Sequence, residues 1–147
     1  MIGWRISHYA DLNGLGGLRA DGRWHHAGRP IVYLADHAAS AMLEMLVHSE
    51  LRRLPASFQL LKVELPGDSL LDLDPAALPP DWRARQEATR RMGDDWLAQS
   101  PSALLRVPSA LAMDGYNLLL NPQHPDAARC RILQVIDAPL DTRLRQP

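Results

Sequence analysis

The chain is poor in the residues that fix small proteins from outside their cores. It holds one cysteine, Cys130, in 147 residues. No internal disulfide can staple it, and a reducing cytosol suits it. Cys130 itself reads as a structural thiol. Lys62 is the only lysine among sixteen basic residues, and seventeen acids bring the formal net charge to −1. That balance argues against bulk electrostatic capture of nucleic acid. Aromatic residues make up 5% of the chain, and none interleave with a basic run as in single-strand binders. No run approaches the roughly 20 apolar residues that cross a bilayer. Met1 to Ile6 reads as a strand and lacks the basic start and apolar centre of a leader. A cytoplasmic protein without membrane attachment is expected. Neither an HExxH pattern nor a cysteine pair is present, so no metal is expected.

What is present suits one core. Apolar residues make up 46% of the chain, and this length fits a single domain over residues 1–147. Strands are expected at Trp4 to Ile6, Ile31 to Ala35, Phe58 to Leu65, Ser69 to Leu73, Ala103 to Val107, Tyr116 to Leu120 and Arg129 to Ile136. Helices are expected from about His37 to Arg53, capped by Asp36, and from Asp81 to Ser100, capped by Asp81. Gly93 weakens the middle of the second helix. Asp11 to Gly22 reads as a glycine-rich loop. Gly14-Leu15-Gly16 is no dinucleotide fingerprint, because Arg19 stands where the third glycine belongs. The class is α+β: twisted mixed or antiparallel sheets flanked by helices. The polar tail after about residue 139 is expected to be loose.

Four polar side chains stand out in apolar settings: Arg23 in Gly22-Arg23-Trp24, Tyr33, Glu44, and Ser109 after Val107-Pro108. An arginine forks onto phosphate, an aromatic ring stacks on a base, and a carboxylate stabilises a cationic sugar. Arg5, inside the first strand, must face solvent or be paired. At 100° per residue Glu44 lies roughly opposite the stripe Ala39, Met42, Leu43, Leu46 and Val47, with His48 beside it. An exposed acid–histidine pair is the ordinary reading of that face. Ala41 and Met45 on the same face favour a partly dry cleft instead. Taken singly, Arg23 is also a surface arginine on tryptophan, Tyr33 a core tyrosine and Ser109 a turn serine.

Their order along the chain is more specific. Trp4-Arg5-Ile6, Gly22-Arg23-Trp24, Tyr33-Leu34-Ala35, Glu44 with His48, Val107-Pro108-Ser109 and the run from Asn117 to Pro125 together resemble the RES domain family. That family takes its name from an arginine, a glutamate and a serine, matched by Arg23, Glu44 and Ser109. The resemblance runs from about Trp4 to Val135. It implies a fold similar to the ADP-ribosyltransferases and a toxin of a bacterial toxin–antitoxin module. It further implies NAD as substrate rather than cofactor, and an Xre-type helix-turn-helix antitoxin as partner, with a homodimer or larger assembly compatible and no direct DNA binding by this chain. Family members degrade NAD with water or phosphate as acceptor, or modify a protein. The family commonly carries asparagine after the Gly-Arg-Trp triplet; this chain has His25 and then His26, so position 25 receives no role.

In the mechanism this suggests, Glu44 stabilises the charge that develops as the nicotinamide–ribose bond breaks. Arg23 and Arg5 grip the diphosphate or ribose, Tyr33 stacks on nicotinamide, and Ser109 bonds the ribose or amide. His48 supports Glu44, and Asn121 and His124 shape a loop that closes the pocket. Protein mono-ADP-ribosylation at the same site is the first alternative. A non-enzymatic RNA- or partner-binding domain is the second.

Overall fold

The computed structural model describes residues 1–49 and 53–145. Its strands are β1 (Ile2–Ile6), β2 (Val32–Ala35), β3 (Ser57–Glu64), β4 (Leu70–Asp72), β5 (Leu104–Pro108), β6 (Tyr116–Leu120) and β7 (Arg131–Pro139). Its helices are the single turn α1 (Gly16–Arg19), α2 (Ala38–His48) and α3 (Gln86–Gln99). The seven strands form one sheet in the order β4-β5-β6-β2-β1-β3-β7. The β4–β5 pair is parallel and the rest antiparallel. The α+β class and mixed sheet are as expected. Among the described residues no helix is long and apolar enough to cross a membrane.

Alternation along the central strands sorts the core into two layers. Val32, Leu34, Leu61, Val63, Leu104, Leu118 and Leu120 pack together on one face. The other face carries two separate clusters. Trp24, Trp96, Leu105, Val107 and Leu119 pack where α3 contributes. Ala35, Phe58, Leu60 and Leu140 pack where Ala41 of α2 contributes. Between these clusters the sheet itself opens. β1 and β2 pair at Trp4 and Ala35. Continuing that register would set Arg5 opposite Leu34 and Ile6 opposite Tyr33, yet those pairs are not made. β1 instead stays with β3 through Ile6, and β2 stays with β6.

Several local expectations are corrected. The cap of α2 is His37, whose Nδ1 accepts from the Ala39 N–H. Asp36 is still engaged with the sheet, where its carboxylate accepts from the Tyr116 N–H at 3.0 Å. The described helix runs to His48; residues 50–52 of the expected span lie outside the described residues. Asp81 does not cap α3. It pairs with Arg85 at 2.9 Å, and a 3₁₀ turn over Trp82–Ala84 intervenes because Trp82 is drawn into the core. The apolar stripe of α2 is also reassigned. Ala39, Leu43 and Val47 are exposed, while Ala41 is buried and Ala38, Met42, Met45 and Leu46 pack beside it. Small alanines let α2 lie close to the sheet, so the bulkier stripe does not mark the buried side. The tail is held as well: Leu140 is buried, and Leu144 packs on the same cluster.

Candidate active site

The opening between β1 and β2 leads into a cavity of about 1020 Å³, walled by α2 on one side and by α3 with the loop before β2 on the other. That is the upper end of the range for small-molecule sites, about 300–1,000 Å³. Arg5, Arg23, Tyr33, Glu44 and His48 all line it. Glu44 sits on the flank of α2 next to buried Ala41, turned toward the sheet and not onto a remote face of the helix. Its side chain keeps 33% of its exposure. One oxygen accepts from Asn117 Nδ2 at 3.4 Å, and the other lies 3.7 Å from His48 Nε2. His48 is 79% exposed, so it stands at the cavity mouth.

Arg23 is placed by a loop that α3 grips through its backbone. Thr89 Oγ1 donates to the Arg23 carbonyl at 2.6 Å, and Arg90 Nε donates to the Gly22 carbonyl at 2.7 Å. The His26 ring lies between Asp94 and Glu87, at 2.5 and 3.0 Å. Both ring nitrogens face carboxylates, which raises the His26 pKa, Asp94 contributing most. Gly93 is where this loop meets the helix: a Cβ there would lie 2.7 Å from the Trp24 carbonyl carbon. The residue that weakens the helix by propensity is the one that admits the loop. The Arg23 guanidinium donates to the Arg83 carbonyl at 3.1 Å. The remaining N–H groups of its fork suit an anion.

Tyr33 lies on the cavity floor with its hydroxyl already engaged. That oxygen accepts from the Trp24 N–H at 3.1 Å and sits 2.8 Å from His25 Nδ1. Burial pushes the phenol well above its ordinary pKa. Only the ring of Tyr33 is left for a ligand.

Arg5 brings a buried, unsatisfied nitrogen to the site. Its Nη1 is buried without a hydrogen-bond partner. Burial lowers the guanidinium pKa, and the charge of Asp11 acts in the opposite sense. A buried, unpaired guanidinium nitrogen is costly unless something anionic or carbonyl-bearing meets it.

Three expected residues are not brought into this cavity. Ser109 is buried in a neighbouring hollow of about 210 Å³ with Arg106 and Tyr116. Its hydroxyl oxygen accepts from the N–H groups of Leu111 and Ala112, at 3.1 and 3.0 Å. The cavity receives Ala110 and Leu111 from this turn instead. Asn121 is buried away from the cavity, donating to Ser100 Oγ and accepting from the Gln123 N–H. His124 caps the next turn by accepting from the Asp126 N–H. Both shape a loop, but not one that borders the cavity. Asn117, above only the first residue of a motif, and Arg90, not singled out above, also line it. Asn117 was legible: in Tyr116–Leu120 it shares a face with Leu119 and is the one amide in a leucine strand.

The arginine excess has a structural outlet. Arg106, Arg129, Arg131 and Arg143 pair with Asp72, Asp68, Glu64 and Asp141. These exposed pairs break up any continuous basic surface.

The chain is similar to several known proteins. A family profile described as the RES domain matches residues 2–141. A protein named Toxin Res from Pseudomonas putida is 49% identical over 146 residues, covering 98% of this chain and 99% of the relative. A protein named Prs ADP-ribosylating toxin, from a Sphingobium species, is 37% identical, covering 84% of each chain. The fold matches a chain in the crystal structure of the M. tuberculosis MbcT–MbcA toxin–antitoxin complex. The TM-score is 0.73 and the identity 21%, over 98% of this chain and 86% of that one. From the span of the profile and the identity of these relatives, the chain belongs to the RES domain family.

Proposed function

We propose that the protein is the toxin of a bacterial toxin–antitoxin pair and that it consumes NAD by breaking the nicotinamide–ribose bond. The observation that carries the chemistry is one cavity with a buried, unpartnered Arg5 nitrogen on its floor and the Glu44 carboxylate on its wall. NAD offers both complements: a diphosphate for guanidinium groups and a ribose that becomes cationic. Nicotinamide leaves as a neutral base, so its departure needs no general acid. The C1′–N bond electrons go with nicotinamide, and C1′ acquires oxocarbenium character. Glu44 stabilises that charge in a half-enclosed site, where a preorganised charge is worth about 3–4 kcal/mol. Arg5 and Arg23 hold the diphosphate, and the Tyr33 ring packs against nicotinamide. An acceptor oxygen, from water or phosphate, then bonds to C1′ and releases its proton to solvent.

The second reading keeps the site and changes the acceptor to a protein side chain. The Sphingobium relative, named as an ADP-ribosylating toxin, supports it. An Xre-type antitoxin that covers the cavity is the proposed partner, and a cytoplasmic site of action follows from the substrate. Ser109 acts in this scheme by holding the Ala110–Leu111 wall.

The test is incubation of antitoxin-free protein with NAD, with and without phosphate and with and without cell proteins, followed by mass analysis. Released nicotinamide with ADP-ribose or its 1″-phosphate supports the first reading. ADP-ribose on protein supports the second. Intact NAD in every arm refutes both.

A further inference from the structure

We infer that His25 is a positioning residue: as its Nε2–H tautomer it fixes Tyr33 and the Arg23 loop at the cavity wall. The residue is 2% exposed, and both of its nitrogens are committed. Nε2 lies 3.1 Å from the Gly17 carbonyl oxygen, which can only accept, so Nε2 carries a proton. Nδ1 lies 2.8 Å from the Tyr33 hydroxyl. One lone pair of that hydroxyl is taken by the Trp24 N–H, so its own proton is free to go to Nδ1. The chain of bonds runs in one direction: Trp24 N–H to Tyr33 O, Tyr33 O–H to His25 Nδ1, His25 Nε2–H to Gly17 O. Every donor meets an acceptor in the uncharged ring. A second proton on the ring would set N–H against O–H and leave the tyrosine proton without an acceptor.

The packing gives this relay its leverage over the site. Gly22 touches it directly: a Cβ there would lie 2.7 Å from Tyr33 Cζ and 2.8 Å from His25 Nδ1. The Gly22 N–H also donates to the His25 carbonyl at 3.0 Å. Arg23 is therefore enclosed in a short turn whose far end is His25. The charged groups that act on this region are Asp21, Arg23 and His26, with Arg90 and Asp94 from α3. The neighbouring His26 is turned outward onto Asp94 and Glu87 and does not share the relay.

The structural arm of the test is independent of NAD; the kinetic arm rests on the proposed activity. Long-range ¹H–¹⁵N spectra of the labelled full chain, at pH from about 5 to 8, should show the Nε2–H tautomer of His25 at neutral pH. A Tyr33→Phe variant removes one hydroxyl and should increase amide exchange at Trp24 at least tenfold. An Nδ1–H or charged ring at neutral pH, or unchanged Trp24 exchange, overturns the inference. In kinetics, His25→Ala should raise the KM for NAD about tenfold or more, with less change in kcat, because Arg23 is displaced. His25→Asn keeps one donor and one acceptor and should restore most of that loss. An alanine variant with the wild-type KM, or an asparagine variant no better than alanine, overturns it as well. If wild-type protein leaves NAD intact, the functional reading fails while the tautomer and exchange measurements still decide the role of His25. If His25→Ala does not fold, Tyr33→Phe carries the test.

Discussion

Replacing Gly93 by alanine separates helix propensity from docking, because the two predict opposite signs. Gly93 lies inside α3, and glycine in a helix interior costs about 1 kcal/mol relative to alanine. Propensity alone therefore predicts a more stable protein. The structure predicts the reverse. The new Cβ would stand 2.7 Å from the Trp24 carbonyl carbon and closer still to its oxygen, with the Trp24 Cβ at 3.3 Å. Its neighbour is backbone, so no rotamer change relieves the overlap. The loop must move, and it is tied to the same helix by Thr89, Arg90 and Asp94. Overpacking of this kind costs about 1–3 kcal/mol, and one broken buried hydrogen bond adds about 1 kcal/mol. After subtracting the propensity gain, Gly93→Ala should lose about 1–3 kcal/mol. For a chain of this length that lowers Tm by about 3–10 °C, read by thermal denaturation under identical buffer. An alanine variant as stable as the parent, or more so, would refute the claim that Gly93 is kept for the approach of Trp24.

Further outcomes follow from the same contacts. Glu44→Gln keeps the shape and removes the charge, so nicotinamide release should fall about 100-fold or more; turnover within a few-fold of wild type would sink the assignment. Arg5→Met fills the space without an unpaired nitrogen, so it should weaken NAD binding at least tenfold while leaving Tm unchanged or higher; calorimetry and denaturation measure the two. The His26 pKa is raised in the folded state, so its stabilisation is complete below the unfolded histidine value and is lost as pH rises through the folded one. Protection factors of the amides from Arg23 to Ala27, with the intrinsic base-catalysed rate divided out, should fall over that rise in the wild type and stay flat in His26→Gln. Leu140→Ala should cost about 2–5 kcal/mol in chemical denaturation, because Leu140 belongs to the core beneath α2.

The fold was legible where period-two alternation and turn residues agreed. Tyr116–Leu120 has the predicted bounds, and Leu61, Val63 and Leu65 share one buried face as read. Legibility failed where size and burial parted company. In α2 the larger residues Leu43 and Val47 point outward, because the sheet accepts Ala38 and Ala41 at close range. At the site, the residues singled out by their order along the chain, Arg5, Arg23, Tyr33, Glu44 and His48, line one cavity. It could not tell that Ser109 spends its hydroxyl oxygen on two backbone amides. A serine after proline writes the same letters whether it holds a turn or a ligand. Asn121 and His124 are of the same kind: their side chains bond within or beside their own turn.

The two adjacent histidines show why a motif alone could not resolve this site. His25 and His26 are identical in sequence and differ in the partners the fold supplies. His25 meets one obligate acceptor and one hydroxyl with a proton to give, an environment complete for a neutral ring. His26 meets two carboxylates, an environment complete for a charged one. The same loop is therefore clamped from the cavity side by an uncharged imidazole and from the helix side by an imidazolium. A rise in pH through the raised His26 value weakens the outer clamp, while the inner one rests on the tautomer that the Gly17 carbonyl imposes. Arg23 precedes both in the same turn, so its placement should be firmest over the range where His26 is still protonated. The raised pKa of His26 widens that range from above. Removing that requirement tests the reasoning: His26→Gln loses the charged outer clamp at every pH, so a fall in NAD turnover as pH rises through the raised His26 value should be seen in the wild type and be absent from the variant. A variant that keeps that fall would show that the loop does not carry the pH dependence.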